Sequence, residues 1–536
     1  MGLKQILQVV RAKGLSFWII LIIGIWFLSS DIMHHRYMND EPPNRGVIGH
    51  DIRGYYGYLP AVFIYGDYRL DFIGKKGFKN ENRFLCLTLE DGQRLIQYTS
   101  GLSILYAPFF LTAHALAPAL GETRDGYNWV YQFFLVMSAL FYVLIGLVFL
   151  RKLLLKYFND LIAGVVLILV TLGTNLFYYT VYEGPMSHSY SFTLIAIFLY
   201  LVDRWYARTT ILNTVLLGFI FGMIVLVRPT NVMVVLILIL WRIDSWAALQ
   251  SRIGFLIQKT PLILLMILFF LIPWIPQLLY WKSITGQFFY NSYDKVGSAF
   301  YFNAPQTHKM LFSYRKGWFV YTPMMFVAFT GFILLYKKRK DLFFSTIVYM
   351  VVMIYLLSSW WAWWFGGGFG SRSMIDTYAV MAFPLAAVID WLQKHRIGYI
   401  RIIGIVVITL LLALQLMQTK QYTKNSIHYV AMDKDAYWHN YFKIKKRGIW
   451  HLLSEPDHRL ARLGIYYYYD WSADYDAFRE IPREKAMQQI REEITEDKKT
   501  MRSIHRHAKR HDISAQETIQ MVVERIYDQK TSRKNL

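Results

Sequence analysis

The sequence has one cysteine, Cys86. An internal disulfide and a cysteine-built metal cage are therefore excluded. Charge is scarce too, since Asp, Glu, Lys and Arg make up 18% of 536 residues against 55% hydrophobic and 17% aromatic. So little charge over such a length excludes an ordinary soluble enzyme and a disordered scaffold. Acids are the scarcer sign, 36 against 58 bases, for a formal net charge of +22. Nucleic acid would suit that excess, but Lys and Arg gather at the ends of apolar runs and in a polar tail, the distribution that membrane topology imposes. No nucleic-acid partner is expected.

Apolar runs are what the chain has in quantity. A helix needs roughly 20 apolar residues to cross the hydrocarbon of a bilayer. The run Leu15 to Leu28 follows Lys4, Arg11 and Lys13 with no small-residue cleavage site after it, and reads as an uncleaved first span with a cytoplasmic amino end. Further spans are expected at 128–150, 161–178, 189–202, 211–227, 230–241, 262–281, 318–336, 342–359, 374–391 and 399–417, roughly eleven in all. Basic residues fall in alternate connections: Arg151, Lys152 and Lys156; Arg204 and Arg208; Arg242, Arg252 and Lys259; Lys337 to Lys340; Lys394, Arg396 and Arg401. These connections are assigned to the cytoplasm. Counting Leu102 to Leu120 as a span would reverse every later loop, so that run is assigned to the outer surface as an interfacial or re-entrant helix. The fold class is an all-α polytopic membrane protein.

Three polar segments then share the outer face: residues 31–127, residues 282–317, and a mostly helical extracytoplasmic tail, 418–536, following a membrane domain at 1–417. In the tail, Asp512-Ile513-Ser514-Ala515-Gln516-Glu517 carries a helix-start pattern. His505, His507 and His511 lie among Arg and Lys without a carboxylate, which disfavours a divalent ion; no metal or cofactor is expected.

Within the first outer segment, Asp51, Tyr55 and Tyr58 share a face if helical, holding a carboxylate among aromatics at the membrane surface. Partial desolvation there raises the basicity of a carboxylate, and aromatic walls suit a sugar ring or a lipid tail; the alternative is an interfacial aromatic belt with an incidental acid. Tyr98-Thr99-Ser100-Gly101 reads as a turn seating the interfacial helix. Glu183 and His188 are ionisable groups at membrane depth, where such groups are expensive and usually functional. Arg228 and Arg372 stand on the side that the charge rule depletes of cations. Guanidinium forks suit phosphate, and Arg315 and Lys316 add two cations at a helix entrance. Snorkelling under an aromatic girdle is the competing account of the two arginines.

Five segments in this order resemble the GT-C superfamily of polytopic glycosyltransferases, in particular the group around the protein O-mannosyltransferases and lipid A aminoarabinose transferases. They are Asp51 with Tyr55, Tyr98 to Phe110, Val227-Arg228-Pro229-Thr230, Arg315 to Pro323, and Trp364 to Arg372. The resemblance implies transfer of a sugar from a polyprenyl phosphate to a glycan, lipid or protein acceptor at the outer face, generally with inversion. It also implies a multi-pass protein of the bacterial inner membrane. By position, Asp51 would be the base, Arg372 with Arg228, Lys316 and Arg315 would hold the donor phosphate, and Tyr55, Tyr58, Tyr98, Glu183 and His188 would line the substrate site. Relatives often carry an Asp-Glu pair in the first loop, whereas Ile52 follows Asp51 here; Asp40-Glu41 is such a pair, but Pro42-Pro43 break the helix that would orient it. A transporter or lipid flippase would also have many helices with scattered charge, and a ligase of lipid-linked oligosaccharide would share the fold.

Overall fold

The computed structural model describes residues 14–35, 46–75, 81–445, 453, 456, 458–462, 464, 466, 481–511 and 513–531. The basic residues Lys4, Arg11 and Lys13 and the pair Asp40-Glu41 lie outside these. Helix dominates them; a hairpin pairs Cys86–Thr88 antiparallel with Arg94–Ile96, with Cys86 opposite Ile96. Among the described residues, seven helices are long and apolar enough to cross a membrane: Leu15–His35, Gly101–Leu120, Trp129–Leu154, Thr260–Thr285, Lys340–Ser358, Arg372–Lys394 and Gly398–Thr423. Together they make this a multi-pass integral membrane protein.

Several expected spans are shorter or interrupted, for reasons that lie in the residues. The run at 161–178 splits into Asp160–Thr171 and Leu176–Val181, with Gly173 and the buried Thr174 and Asn175 between them. Pro229 and Pro323 lack the amide that continues a helix, so 230–241 opens as a 3-10 turn and 318–336 restarts at Pro323. Ile211–Val227 is a 17-residue helix, and Ser187–Ala207 carries too many polar groups to count by composition. Gly101–Leu120, expected at the interface, has the length and composition of a span. A count of eleven is therefore not what length and composition give. Where helices do start, the caps are explicit: Asn128, Asn159 and Thr210 each accept a backbone amide of the first turn with their side chains.

The chain forms two compact units. The first comprises residues 1–292, 321–354 and 370–419. Its most enclosed candidate span is Arg372–Lys394, 83% of whose apolar window is buried, against 11% for Gly398–Thr423. Ile402, Ile403, Val406 and Leu410 are exposed on the latter, a surface that suits lipid. The second unit comprises residues 293–320, 355–369 and 420–536. Its helices Arg483–Glu496, Lys498–His511 and Ala515–Thr531 bury Ile490, Ile494, Ile504, Val522 and Val523 in a common core.

Candidate functional site

Asp51 immediately precedes the short helix Ile52–Tyr56, without capping it by its side chain, and directly follows His50, whose φ of 44° turns the chain in the left-handed region. Its carboxylate has two partners. Oδ2 lies 3.1 Å from Nη2 of Arg372, and Oδ1 accepts the Tyr98 hydroxyl at 3.0 Å. Two residues before Arg372, Gly370 turns the chain at a left-handed φ of 62°, where an added Cβ would press against Tyr321. Two turns that ordinary residues adopt reluctantly thus aim the two charges at one another. Neither is sealed: 29% of the Asp51 side chain and 16% of that of Arg372 stay exposed.

Tyr98 is held by its neighbours in sequence. The Thr99 hydroxyl donates to the Leu226 carbonyl at 2.6 Å, the Ser100 amide donates to Gln277 at 2.7 Å, and Gly101 packs directly on the backbone of Leu226 and Val227. That contact requires glycine, since a Cβ at 101 would lie 2.6 Å from the Val227 nitrogen. The Tyr98 ring lies over Gly54 and beside Tyr55, at a ring separation of 4.5 Å. Burial, then the neighbouring Asp51 carboxylate, push the Tyr55 hydroxyl up to about 12, against the opposing pull of Arg228 and Arg372. Tyr55 is therefore neutral at ordinary pH.

Beneath this pair lies a buried cluster. Arg228 ends the helix Ile211–Val227 in an extended conformation, as the following proline demands. Its Nε lies 3.2 Å from Asp376, and its Nη1 donates to Nδ1 of His188 at 2.8 Å. An arginine can only donate, so Nδ1 of His188 accepts and does not donate to the Asp376 oxygen 3.7 Å away. Asp376 also accepts from Asn231 at 3.0 Å, and its side chain is fully buried. Nearby, Glu183 accepts the Tyr178 hydroxyl at 2.9 Å, and the charges of Asp51 and Glu183 both act on Arg372.

Of the residues singled out in the sequence, Asp51, Arg372, Tyr98 and Tyr55 converge directly. Arg228, His188 and Glu183 lie in the same unit, close enough for Arg228 to act on Tyr55 and Glu183 on Arg372. Tyr58 departs from the expected shared face, because one short helix ends at Tyr56 and the next begins at Tyr58. It turns into a buried cluster with Tyr280 and donates to the Tyr98 carbonyl at 2.7 Å, so it supports Tyr98 from below. Lys316 and Arg315 belong to the second unit. There Lys316, almost wholly buried, donates to the carbonyls of Gly368 and Tyr429, and Arg315 donates to that of Val430 at 3.1 Å. Trp363 and Trp364 are buried in that unit as well. Asp376 escaped the sequence reading. Its signal was a lone acid inside an apolar run four residues after Arg372. Among the described residues, no three His, Cys, Asp or Glu side chains gather as metal ligands would.

The sequence matches no family model, and no curated protein matches it. Among solved structures, the chain is similar to the archaeal oligosaccharyltransferase AglB from Archaeoglobus fulgidus in complex with an inhibitory peptide and a dolichol-phosphate, at 11% identity and a TM-score of 0.42, over 88% of this chain and 59% of that one. It is also similar to the apo form of the Archaeoglobus fulgidus oligosaccharyltransferase, at 11% identity and a TM-score of 0.43, over 77% of this chain and 57% of that one. The chain thus spans less than three fifths of the length of either solved relative.

Proposed function

We propose that this chain is a GT-C-type membrane glycosyltransferase that moves a sugar from a polyprenyl phosphate to an acceptor at the extracytoplasmic face of a bacterial inner membrane. The observation that carries the reading is the Asp51–Arg372 pair, a partly exposed carboxylate 3.1 Å from a partly exposed arginine that opens one of the apolar helices of a multi-pass protein. In this mechanism Asp51 takes the proton of the acceptor hydroxyl as its oxygen attacks the anomeric carbon. The bond between that carbon and the phosphate oxygen breaks, and polyprenyl phosphate leaves with the electron pair. Attack from the face opposite the leaving group inverts the anomeric centre.

Charge therefore moves from acceptor to leaving group, and each member of the pair serves one end of that movement. The guanidinium fork of Arg372 matches the phosphate, which gains charge in the transition state, and a fixed cation there stabilises it more than it stabilises bound donor. Arg228, whose charge reaches Tyr55, supplies a second positive charge. Lys316 and Arg315 are left out of the phosphate site because their side chains are occupied by backbone carbonyls. Tyr98 orients the base by its hydrogen bond, and the Tyr55–Tyr98 rings offer a flat apolar wall to a sugar.

The test is a reconstitution. Purified protein given a lipid-linked sugar and an acceptor should release polyprenyl phosphate in step with glycosylated acceptor. Asp51→Asn should lower turnover by about 10² to 10⁴ while donor binding changes little. Absence of phosphate release across the common sugars, together with protein-dependent lipid or solute movement in vesicles that Arg372→Ala abolishes, would make the chain a transporter.

A further inference from the structure

Asp376 itself has no part in the proposed transfer, yet it is the most thoroughly enclosed charge near it. The Asp376 side chain is fully buried, while that of Arg228, its ion-pair partner, keeps 14% open. Burying a carboxylate is expensive unless it is paired and hydrogen-bonded, and here Arg228 and Asn231 supply both to one oxygen. Its other oxygen has no hydrogen bond and lies 3.7 Å from His188. So little satisfaction for one of the two oxygens is a poor bargain for stability alone.

The placement suggests what the burial achieves. Asp376 and Arg372 belong to the same 3-10 segment, Arg372–Thr377, which is buried from Ser373 to Thr377. Arg228 belongs to another element, the end of Ile211–Val227. The Arg228–Asp376 bond is therefore a tie between the two segments that carry the two arginines. Arg372 lies 3.1 Å from Asp51, and Arg228 lies 3.2 Å from Asp376, four residues further along the same segment, so the tie sets where one guanidinium lies relative to the other. We propose that Asp376 is a positioning residue that clamps Arg228 against the segment bearing Arg372, setting two guanidiniums at a fixed spacing to receive one phosphate. This rests on the phosphate-donor reading above.

A long flexible arginine left to itself loses rotamer freedom when it binds, and a buried anchor removes that cost beforehand. Asp376 then acts only through Arg228, and the two residues should not contribute independently. The experiment measures binding of a short-chain polyprenyl monophosphate to the purified full-length protein, alongside thermal unfolding, for Asp376→Asn, Arg228→Met and the double variant. Removing both charges leaves no unpaired ion, so the double variant should fold even where a single one does not. Expected are losses of about tenfold in affinity for each single variant and a double variant no weaker than Arg228→Met alone. Losses that multiply to about a hundredfold in the double variant, or unchanged binding in Asp376→Asn, overturn the clamp and leave the donor reading standing. Asp376→Glu keeps the charge but lengthens the tie by one methylene, so the folded variant should bind more weakly; unchanged affinity in it also overturns the clamp. A parent protein that binds no polyprenyl monophosphate overturns clamp and donor together.

Discussion

At the scale of single residues, the position that decides the site's shape is a glycine. A Cβ on Gly54 would lie 2.5 Å from the Tyr98 ring, far inside any contact that side chains tolerate. Gly54→Ala should therefore push Tyr98 off Asp51, lowering kcat by about tenfold through lost orientation. An alanine variant with parental kcat would remove Tyr98 from the mechanism. Tyr98→Phe tests the same bond from its other end and should give a similar loss without moving backbone. How much could be read beforehand follows from the chemistry of each residue. Asp51 and Arg372 were conspicuous because each is a charge beside aromatics and glycines, where topology alone gives no reason for it. Asp376 is enclosed by residues brought from two distant stretches, His188 from one and Arg228 with Asn231 from the other, and no local pattern announces a partner 145 residues away.

At the scale of elements, caps and breaks are what local sequence specifies best, since they depend on a few adjacent residues. In the tail, the helix-start pattern forms a reciprocal box, in which the Glu517 amide donates to the Ser514 hydroxyl at 3.0 Å and the Ser514 amide donates to the Glu517 carboxylate at 2.8 Å. The backbone and hydroxyl of Ser514 hold the Glu517 carboxyl below its usual range. A depressed folded value means stability that is present above the unfolded glutamate value of about 4.3 and lost as pH falls through the folded one. The protection of the Ala515–Thr531 amides, measured against their intrinsic exchange rates at each pH, should accordingly fall on acidification below about pH 4, and Glu517→Gln should flatten that dependence. Exchange with the same acid response in the glutamine variant would assign it to other carboxylates. Longer elements were less legible. Hydropathy saw one apolar run at 161–178 and one at 318–336, but a run does not reveal that Gly173 or Pro323 divides it, because the apolar character continues across the break.

At the scale of the whole molecule, the central question is sidedness, and the charges give a definite expectation. A tag at residue 338 should be cytoplasmic, and tags at residue 305 and at the carboxyl end should be outside. A cytoplasmic carboxyl end would break the parity on which the common outer face of Asp51 and Arg372 depends. The lone thiol offers a check that needs no tag. Cys86 is partly accessible, and with residues 31–127 outside, as the charges lead one to expect, a membrane-impermeant maleimide should label the unmodified protein in intact cells. Labelling only after permeabilisation would put the reactive pair on the inner side. The same thiol has a second use, because its strand is zipped to the one that leads into the site. Cys86 stands opposite Ile96, and Ile96 precedes Tyr98 by two residues. A dye attached there would sit at one known address, wired by a hairpin to the tyrosine that touches Asp51, and its colour or brightness would report occupancy in real time without a single engineered residue.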